Sequence, residues 1–243
     1  MSGLFVTGTD TEIGKTFVST LLIRLLVEQG LTVSGMKPIA SGAEIHQGVL
    51  KNEDALSLIA ASNVSVDYGM VNPYVFEPAV SPHIAAEEAQ VEIKFDVIKE
   101  HFQHLEKNSD VVIVEGVGGW HAPLSSDTTI SDFAALFNLP VILVVGLRLG
   151  CLSHALLTAQ AIRQAGVPIA GWVANQVDKN FSYVEKNIET LKDHLYDFPF
   201  IGNIPFLAEN ISVNKYSDDI KDKKNLFKHL YKEVLMHSIQ ITK

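Results

Sequence analysis

Cysteine, long apolar runs and positive charge are all scarce in this chain of 243 residues. Its single cysteine, Cys151, cannot form an intramolecular disulfide, and nothing in the sequence gives it partners for a zinc site. No run of about 18 uninterrupted apolar residues is present, so a membrane-spanning helix is not expected. The first apolar stretch, 4–6, leads into a glycine loop rather than a cleavage site. We therefore expect a soluble, cytoplasmic protein.

Acidic side chains outnumber basic ones, with 28 Asp and Glu against 19 Lys and Arg, for a formal net charge of −9. A field of that sign repels polyanions, which argues against nucleic acid or an anionic membrane as a partner. A small anionic substrate is still allowed, because a few lysines and helix N-termini in one cleft can bind it. No Pro-, Gly- or Ser-rich linker divides the chain and 47% of it is hydrophobic, so we expect one domain over residues 1–243.

Short, β-branched apolar runs alternate with longer helical patterns. Such runs are typical of buried parallel strands, and they fall at 4–7, 33–36, 111–114, 141–145, 169–174 and 200–204. Segments 17–29 and 152–165 have apolar residues at helical spacing and end before Gly30 and Gly166. The alternation predicts an α/β fold of the P-loop type: a doubly wound, mainly parallel sheet with helices on both faces. Ligands bind such sheets at the carboxyl ends of the strands.

The strongest motif is Gly8-Thr-Asp-Thr-Glu-Ile-Gly-Lys-Thr16, a glycine-rich turn between the first strand and a helix. In phosphate-binding loops, backbone N–H groups and the helix N-terminus hold phosphate oxygens, a lysine reaches the β- and γ-phosphates, and a hydroxyl binds Mg²⁺. Lys15 and Thr16 stand at the positions for those last two roles. The spacing departs from G-x4-G-K-[ST], since Gly8 lies one residue further upstream. The motif predicts a binding site for ATP or GTP.

Two carboxylates are candidate Mg²⁺ ligands beside Thr16. Glu115 ends an apolar strand, in the place where P-loop proteins carry a metal-binding acid, and Mg²⁺ prefers oxygen ligands. Asp54 is the candidate for the third ligand, although an exposed helix-start acid after Asn52 explains it equally well. The glycine-rich segment 116–119 follows Glu115 directly, and it either forms a backbone surface near the triphosphate or substrate or is simply a tight turn.

A series of ordered motifs resembles the dethiobiotin synthetase family, and the resemblance runs through most of the chain. The motifs are the loop 8–16, Lys37-Pro-Ile-Ala-Ser-Gly42, Ser81-Pro-His-Ile-Ala-Ala86, Glu115-Gly-Val-Gly-Gly119, Gly150-Cys-Leu-Ser-His-Ala155, Gly171-Trp-Val-Ala-Asn175 and Gly202-Asn-Ile-Pro205. The resemblance implies a homodimeric, Mg²⁺-dependent ligase of biotin biosynthesis. In that family 7,8-diaminononanoate, CO₂ and ATP give dethiobiotin, ADP and phosphate.

The implied reaction begins when one substrate amine captures CO₂ as a carbamate. The carbamate attacks the γ-phosphate of ATP, and the second amine then displaces phosphate from the mixed anhydride. An anion must approach an anion, which Coulomb repulsion opposes, so cations have to offset the charge. The resemblance implies that Lys37 is the key catalytic lysine, with Lys15 and Thr11 beside it, although a bare lysine before a proline is more often an exposed strand end.

The remaining site residues follow from the resemblance, position by position. The implied nucleotide-binding set is Glu12, Ile13, Gly14, Lys15, Thr16, Phe17, Asp54, Glu115, Gly116, Val117, Gly118, Asn175, Gln176, Ile204, Pro205 and Phe206. The implied substrate-binding set is Thr11, Lys37, Ser41, Gly150, Cys151, Leu152 and Ser153, the last four at a helix N-terminus that holds the substrate's carboxylate across the dimer interface. Ser153 stands where the family usually has Asn, and Val117 stands where Ala is commoner.

Three alternatives stay open at this point. The run Asn175-Gln-Val-Asp178 is similar to the Asn-Lys-x-Asp pattern of guanine-specific GTPases, although its lysine is missing. An amide ligase related to cobyrinate diamide synthases would need a glutaminase domain, for which this chain is too short. A ParA- or MinD-like ATPase switch would carry a signature lysine early in the phosphate loop, where this chain has Thr9, Asp10 and Thr11.

Overall fold

The computed structural model describes residues 3–207 and Tyr216. Its strands are β1 (Gly3–Gly8), β2 (Val33–Met36), β3 (Ile39–Ala40), β4 (Glu44–His46), β5 (Val49–Lys51), β6 (Tyr74–Val75), β7 (Val111–Glu115), β8 (Val141–Leu147), β9 (Ile169–Gln176) and β10 (Phe200–Ile204). Its helices are α1 (Lys15–Glu28), α2 (Glu53–Ala61), α3 (Tyr68–Val71), α4 (Pro82–Glu88), α5 (Phe95–Lys107), α6 (Ile130–Phe137), α7 (Cys151–Ala165) and α8 (Val184–His194).

The main sheet has six strands in the order β10-β9-β8-β1-β7-β2. Every pair in it is parallel, which requires helical crossovers between the strands. The chain moves outward from β1 to β2 in one direction and then from β8 to β10 in the other. The order therefore reverses beside β1, and such a switch point is where doubly wound sheets bind ligands.

Alternating side chains along the strands divide the core between the two faces of the sheet. In β1, Leu4 and Val6 pack on one face with the apolar side of α1, whereas Phe5 points to the other face and contacts Phe133 of α6. Helices α5 and α7 also pack on that second face. Burial on both sides explains why these strands are almost wholly apolar. The predicted doubly wound α/β architecture is confirmed.

The sequence located the six strands of the main sheet and helices α1 and α7 to within a few residues. The segment 73–82 begins and ends with proline and has no regular apolar pattern; it contains β6, which pairs with β3, and reaches the first residue of α4. The hairpin of β4 and β5 was not predicted, because its turn, Gln47-Gly48, joins strands without a buried face. Within residues 3–207 and Tyr216, no helix has the length and apolarity needed to cross a membrane.

Candidate functional site

The phosphate loop leaves β1 and enters α1 through a glycine in the left-handed region, Gly14, whose φ is 83°. A Cβ at this position would lie 2.2 Å from Nδ2 of Asn175, so a larger residue would be excluded by contact as well as by backbone conformation. Glu12 is also left-handed, with φ of 56°, which is uncommon for a residue with a side chain. Such backbone strain is concentrated at functional loops.

Lys15, the lysine of this loop, is buried and its Nζ donates a hydrogen bond of 2.7 Å to the main-chain oxygen of Asp10. Burial and the neighbouring ammonium of Lys37 lower the pKa of Lys15 to about 8. Both effects oppose the charged form. The site therefore holds two lysines close enough to repel each other, which is an arrangement suited to a polyanionic ligand.

Lys37 follows β2 and is 3% exposed. Its Nζ lies 2.6 Å from Oε1 of Glu115, 3.0 Å from Oδ2 of Asp54 and 3.1 Å from the main-chain oxygen of Gly116. Burial disfavours the ammonium, but the two carboxylates outweigh it and raise the pKa of Lys37. Contrary to the usual behaviour of a lysine at a strand end, this side chain points into the site. The structure therefore places the Lys37 ammonium beside Glu115.

Asn72, which the sequence did not single out, holds the backbone of Lys37 in place. This asparagine is 2% exposed, and its Nδ2 donates to the main-chain oxygens of Lys37 at 2.6 Å and Tyr74 at 3.2 Å. The amide of Lys37 donates to the main-chain oxygen of Val71 at 2.9 Å. The only available signal was an asparagine before Pro73, which also fits an ordinary turn.

Glu115 ends β7 and is completely buried. Its Oε1 accepts hydrogen bonds from Thr16 Oγ1 at 2.8 Å and from Lys37 Nζ at 2.6 Å, whereas its Oε2 is buried without a hydrogen-bond partner. A buried carboxylate oxygen with no partner is an expected donor atom for a hard cation. The predicted set of Thr16, Asp54 and Glu115 therefore fits Mg²⁺ chemically.

Asp54 lies close to Lys37, with its Oδ2 3.0 Å from Nζ of that lysine. It lies in the first turn of α2, where Asn52 caps the helix by accepting from the amides of Asp54 and Ala55. Burial would raise the pKa of Asp54, but the ammonium of Lys37 holds it below its usual range. In the residues that the structure describes, no three His, Cys, Asp or Glu side chains come together to hold a metal. Phosphate and water oxygens would have to complete a Mg²⁺ shell here.

Two further predicted groups reach the same edge of the sheet. Ser41 follows β3, and its main-chain oxygen lies 3.4 Å from Nδ2 of Asn52, next to the helix that carries Asp54. A Cβ built on Gly118 would lie 3.9 Å from Oγ1 of Thr11, so the glycine segment after β7 runs beside the phosphate loop. Thr11 itself is exposed, with its hydroxyl available to a ligand.

Asn175 ends β9 and packs against the phosphate loop. Its Nδ2 donates to the main-chain oxygen of Ile13 at 2.7 Å, so one of its polar atoms is already used by the protein. Oε1 of Gln176 accepts from the amide of Phe206 at 3.4 Å, which joins the ends of β9 and β10. Ile204 is buried, whereas Pro205 and Phe206 are exposed at this edge, and Phe17 contacts the ring of Tyr216.

The turn after β8 brings the predicted tail-binding residues to the same edge. Gly150 is left-handed, with φ of 94°, and opens α7; Leu152 is partly buried and Ser153 exposed. Cys151 is buried, and burial raises the pKa of its thiol, which suits a packing role rather than a nucleophile. Arg148, in the same turn, forms an ion pair with Asp10 of the phosphate loop. Neither Arg148 nor Asp10 was predicted as a site residue from the sequence.

Comparison with known proteins identifies close relatives of the chain. A family profile described as an AAA domain matches residues 2–212. The "ATP-dependent dethiobiotin synthetase BioD" of Aeromonas salmonicida is 44% identical over 88% of this chain and 95% of its own length. The protein of the same name from Pseudomonas paraeruginosa is 46% identical over 86% of this chain and 92% of its own length.

Solved structures similar to this fold include cell-division ATPases. MinD of Pyrococcus horikoshii, complexed with Mg-ADP, has a TM-score of 0.61 and 17% identity, and the match covers 100% of this chain and 99% of that one. MinD of Pyrococcus furiosus has a TM-score of 0.58 and 19% identity over 96% and 99% of the two chains. At such identities the likeness establishes the fold alone, which is that of P-loop nucleotide-binding proteins.

Proposed function

Since the chain belongs to the family of ATP-dependent dethiobiotin synthetases, we propose that it uses ATP to form dethiobiotin in biotin biosynthesis. The observation that carries the proposal is the convergence of two lysines with the carboxylates of Asp54 and Glu115 at one edge of the sheet. Lys15 comes from the phosphate loop after β1, and Lys37 comes from the end of β2. A reaction between two anions requires this kind of local positive charge.

The proposed substrates are 7,8-diaminononanoate, CO₂ or bicarbonate, and ATP. One amine of the diamine adds to CO₂ and loses a proton, which gives a carbamate. A carbamate oxygen attacks the γ-phosphorus and ADP leaves, so that a mixed anhydride forms. The second amine then attacks the carbonyl carbon, loses a proton and expels phosphate, which closes the ureido ring. The protein positions the reactants and offsets their charge, and no covalent enzyme intermediate is needed.

In this proposal Lys15 and the amides from Glu12 to Thr16 hold the phosphates. Thr16, Asp54 and Glu115 are the proposed Mg²⁺ ligands, and the fit rests on their hard oxygen donors and on the unpartnered Oε2 of Glu115. When bound there, Mg²⁺ would neutralise charge on the β- and γ-phosphate oxygens. The segment 116–118 lies beside the loop and supplies further backbone groups.

We propose that Lys37 stabilises the charge that develops between carbamate and γ-phosphate. Its burial removes competing water, so that its charge acts more strongly than it would at the surface. Thr11 and Ser41 flank this space, and their hydroxyl groups can hydrogen-bond the carbamate or the diamine. Because Asn72 binds the main-chain oxygen of Lys37, the backbone that carries the lysine side chain is held in place.

Base recognition is proposed for the opposite end of the site. With Nδ2 of Asn175 held by the main-chain oxygen of Ile13, its Oδ1 is the atom left to accept a hydrogen bond from the amino group of adenine. Gln176 lies beside it, and Ile204, Pro205 and Phe206 supply apolar surface for the ring. An acceptor at this place favours adenine over guanine, whose corresponding atom is a carbonyl oxygen.

The N-terminus of α7, Gly150 to Ser153, is proposed to bind the carboxylate of the substrate tail through free amides. In the family this contact crosses a dimer interface, and exposed apolar residues near the turn support pairing with a second copy: Leu149 is 93% exposed and Leu157 is 62% exposed. We propose a homodimer on this basis. A single domain, a cytoplasmic location and the absence of nucleic-acid and membrane partners remain proposals as well.

Phosphate release and product mass test the function together. The reaction mixture contains 7,8-diaminononanoate, bicarbonate and MgATP, and each component is omitted in turn. The proposal predicts that phosphate and dethiobiotin appear in equal amounts and only in the complete mixture. ATP turnover that is indifferent to the diamine would overturn the proposal in favour of an ATPase switch.

A further inference from the structure

Arg148 and Asp10 connect two parts of the site that lie far apart in the sequence. Arg148 belongs to the turn between β8 and α7, and its main-chain oxygen accepts from the amide of Cys151 at 3.0 Å. Its guanidinium pairs with the Asp10 carboxylate, and the two side chains are 42% and 40% exposed. The pair therefore ties the start of α7 to the phosphate loop.

Asp10 also organises the loop around itself. Its Oδ1 accepts from the amide of Thr11 at 2.8 Å, and its main-chain oxygen accepts from Lys15 Nζ at 2.7 Å. The arginine thus acts on the residue that holds both Thr11 and the loop lysine. A shift of Asp10 would move these two groups with it.

A carboxylate in a phosphate-binding loop presents an electrostatic problem. Asp10 is close enough to Lys15 to influence its charge, so it also lies near any phosphate that Lys15 binds and repels it. The guanidinium of Arg148 offsets this repulsion while the carboxylate keeps its hydrogen bond to Thr11. An unpaired Asp10 would lower the affinity of the loop for a ligand, and the loss would increase with the ligand's negative charge.

We propose that Arg148 is a positioning residue for nucleotide binding, which acts through Asp10 by neutralising its carboxylate and holding it against the β8–α7 turn. Arg148 belongs to none of the residue sets assigned above. The inference rests on the proposed function only in taking the ligand of the loop to be a nucleotide phosphate. Binding and turnover therefore test the two proposals separately.

The test is calorimetric titration of the full-length protein with MgADP and with adenosine. Arg148→Met should lower the affinity for MgADP about three- to tenfold, as expected for one partly exposed charge. Its affinity for adenosine should stay within about twofold of the parent's. Arg148→Lys should regain most of the affinity for MgADP, because it restores the charge. The matched control is Arg163→Met, which removes an arginine paired with Asp197 at the other end of α7. This variant should bind both ligands with the affinity of the parent.

The deciding variant combines Arg148→Met with Asp10→Asn. An asparagine keeps the acceptor for Thr11 and removes the unpaired charge, so the double variant should bind MgADP within about twofold of the parent. In turnover assays, kcat/KM for MgATP should fall in Arg148→Met, whereas the KM for the diamine should not change. Arg148→Gln replaces Arg148→Met if the latter does not fold.

Unchanged MgADP binding in Arg148→Met would overturn the inference, and so would an equal loss of adenosine binding. The inference would also be overturned if adding Asp10→Asn to Arg148→Met did not restore the affinity for MgADP and the KM for the diamine rose. Arg148 would then act on the substrate directly. If the parent protein binds MgADP as described but makes no dethiobiotin, the proposed function fails and the role of Arg148 stands.

Discussion

Nζ of Lys37 lies 2.6 Å from Oε1 of Glu115, and the two side chains are 3% and 0% exposed. With Asp54 and the main-chain oxygen of Gly116 the ammonium has three acceptors, which matches its three donors. In a buried pair of this kind, each charge offsets the cost of removing the other from water. The lysine proposed for catalysis and two proposed Mg²⁺ ligands therefore form one electrostatic unit.

Replacement of this lysine should separate binding from chemistry. We expect Lys37→Ala to bind MgATP within a few-fold of the parent, because Lys15 and the loop amides remain. Product formation should fall at least about 100-fold, as is typical when a group that stabilises transition-state charge is removed. Calorimetry and product mass spectrometry measure the two quantities, and unchanged turnover would contradict the role given to Lys37. Lys179→Ala, at an exposed lysine, is the control.

Neutralising the buried carboxylate should alter the response to metal. Glu115→Gln keeps the shape of the side chain and removes its charge, so activity should require a higher Mg²⁺ concentration, by about tenfold or more. The measurement is a magnesium titration of phosphate release at fixed ATP. Glu185→Gln, at an exposed glutamate of α8, should titrate like the parent. If Glu115→Gln does so too, Glu115 is not a ligand.

Lys37 should also compete with the metal. Its ammonium contacts both Glu115 and Asp54, so Lys37→Met leaves these carboxylates without their cation. We expect this variant to bind Mg²⁺ more tightly than the parent, by about tenfold, in calorimetric titrations with ADP present. Equal or weaker binding of Mg²⁺ would show that the charge of Lys37 does not oppose the metal at these carboxylates.

The loop lysine should lower the stability of the free protein. The pKa of Lys15 is lowered from 10.5 to about 8 by burial and by Lys37. Between these values the unfolded chain holds a proton that the folded protein has released, so the free energy of unfolding rises with pH across that window. Below it, charged Lys15 costs stability in full. We expect Lys15→Met to gain about 1–3 kcal/mol at pH 7.

Urea unfolding without added nucleotide or metal measures this effect. The gain of Lys15→Met over the parent should shrink as the pH rises through about 8 and should be nearly gone near 10.5, because the parent then has a neutral lysine as well. Lys179→Met, at an exposed lysine, should show no such trend. A variant less stable than the parent at pH 7 would contradict the prediction.

The sequence predicted much of the fold because the strands of the main sheet are short, apolar and separated by amphipathic helices. Candidate site residues such as Lys15 and Glu115 could be named from the sequence because they stand at fixed positions relative to a strand end. Asp54 could not be decided, because its place in the first turn of α2 explains an acid without reference to Lys37. Only the folded chain brings the two within 3.0 Å.

Contacts between distant segments could not be predicted from the sequence. Arg148 and Asp10 are separated by 138 positions, and neither belongs to a local pattern that points to the other. The sheet order, which sets β8 beside β1, creates their contact. Asn72 was missed for the same reason, since its partner is a main-chain oxygen 35 positions away.

The carbamate route is tested most directly by the fate of CO₂ oxygen. A single turnover with freshly dissolved, doubly ¹⁸O-labelled CO₂, the diamine and MgATP is stopped before the label exchanges with water. The route predicts one ¹⁸O atom in the released phosphate and one in the ureido carbonyl of dethiobiotin, because the anhydride oxygen leaves with phosphorus. Unlabelled phosphate would mean that water attacks ATP. The claim that the carbamate attacks the γ-phosphate with the assistance of Lys37 would then be wrong.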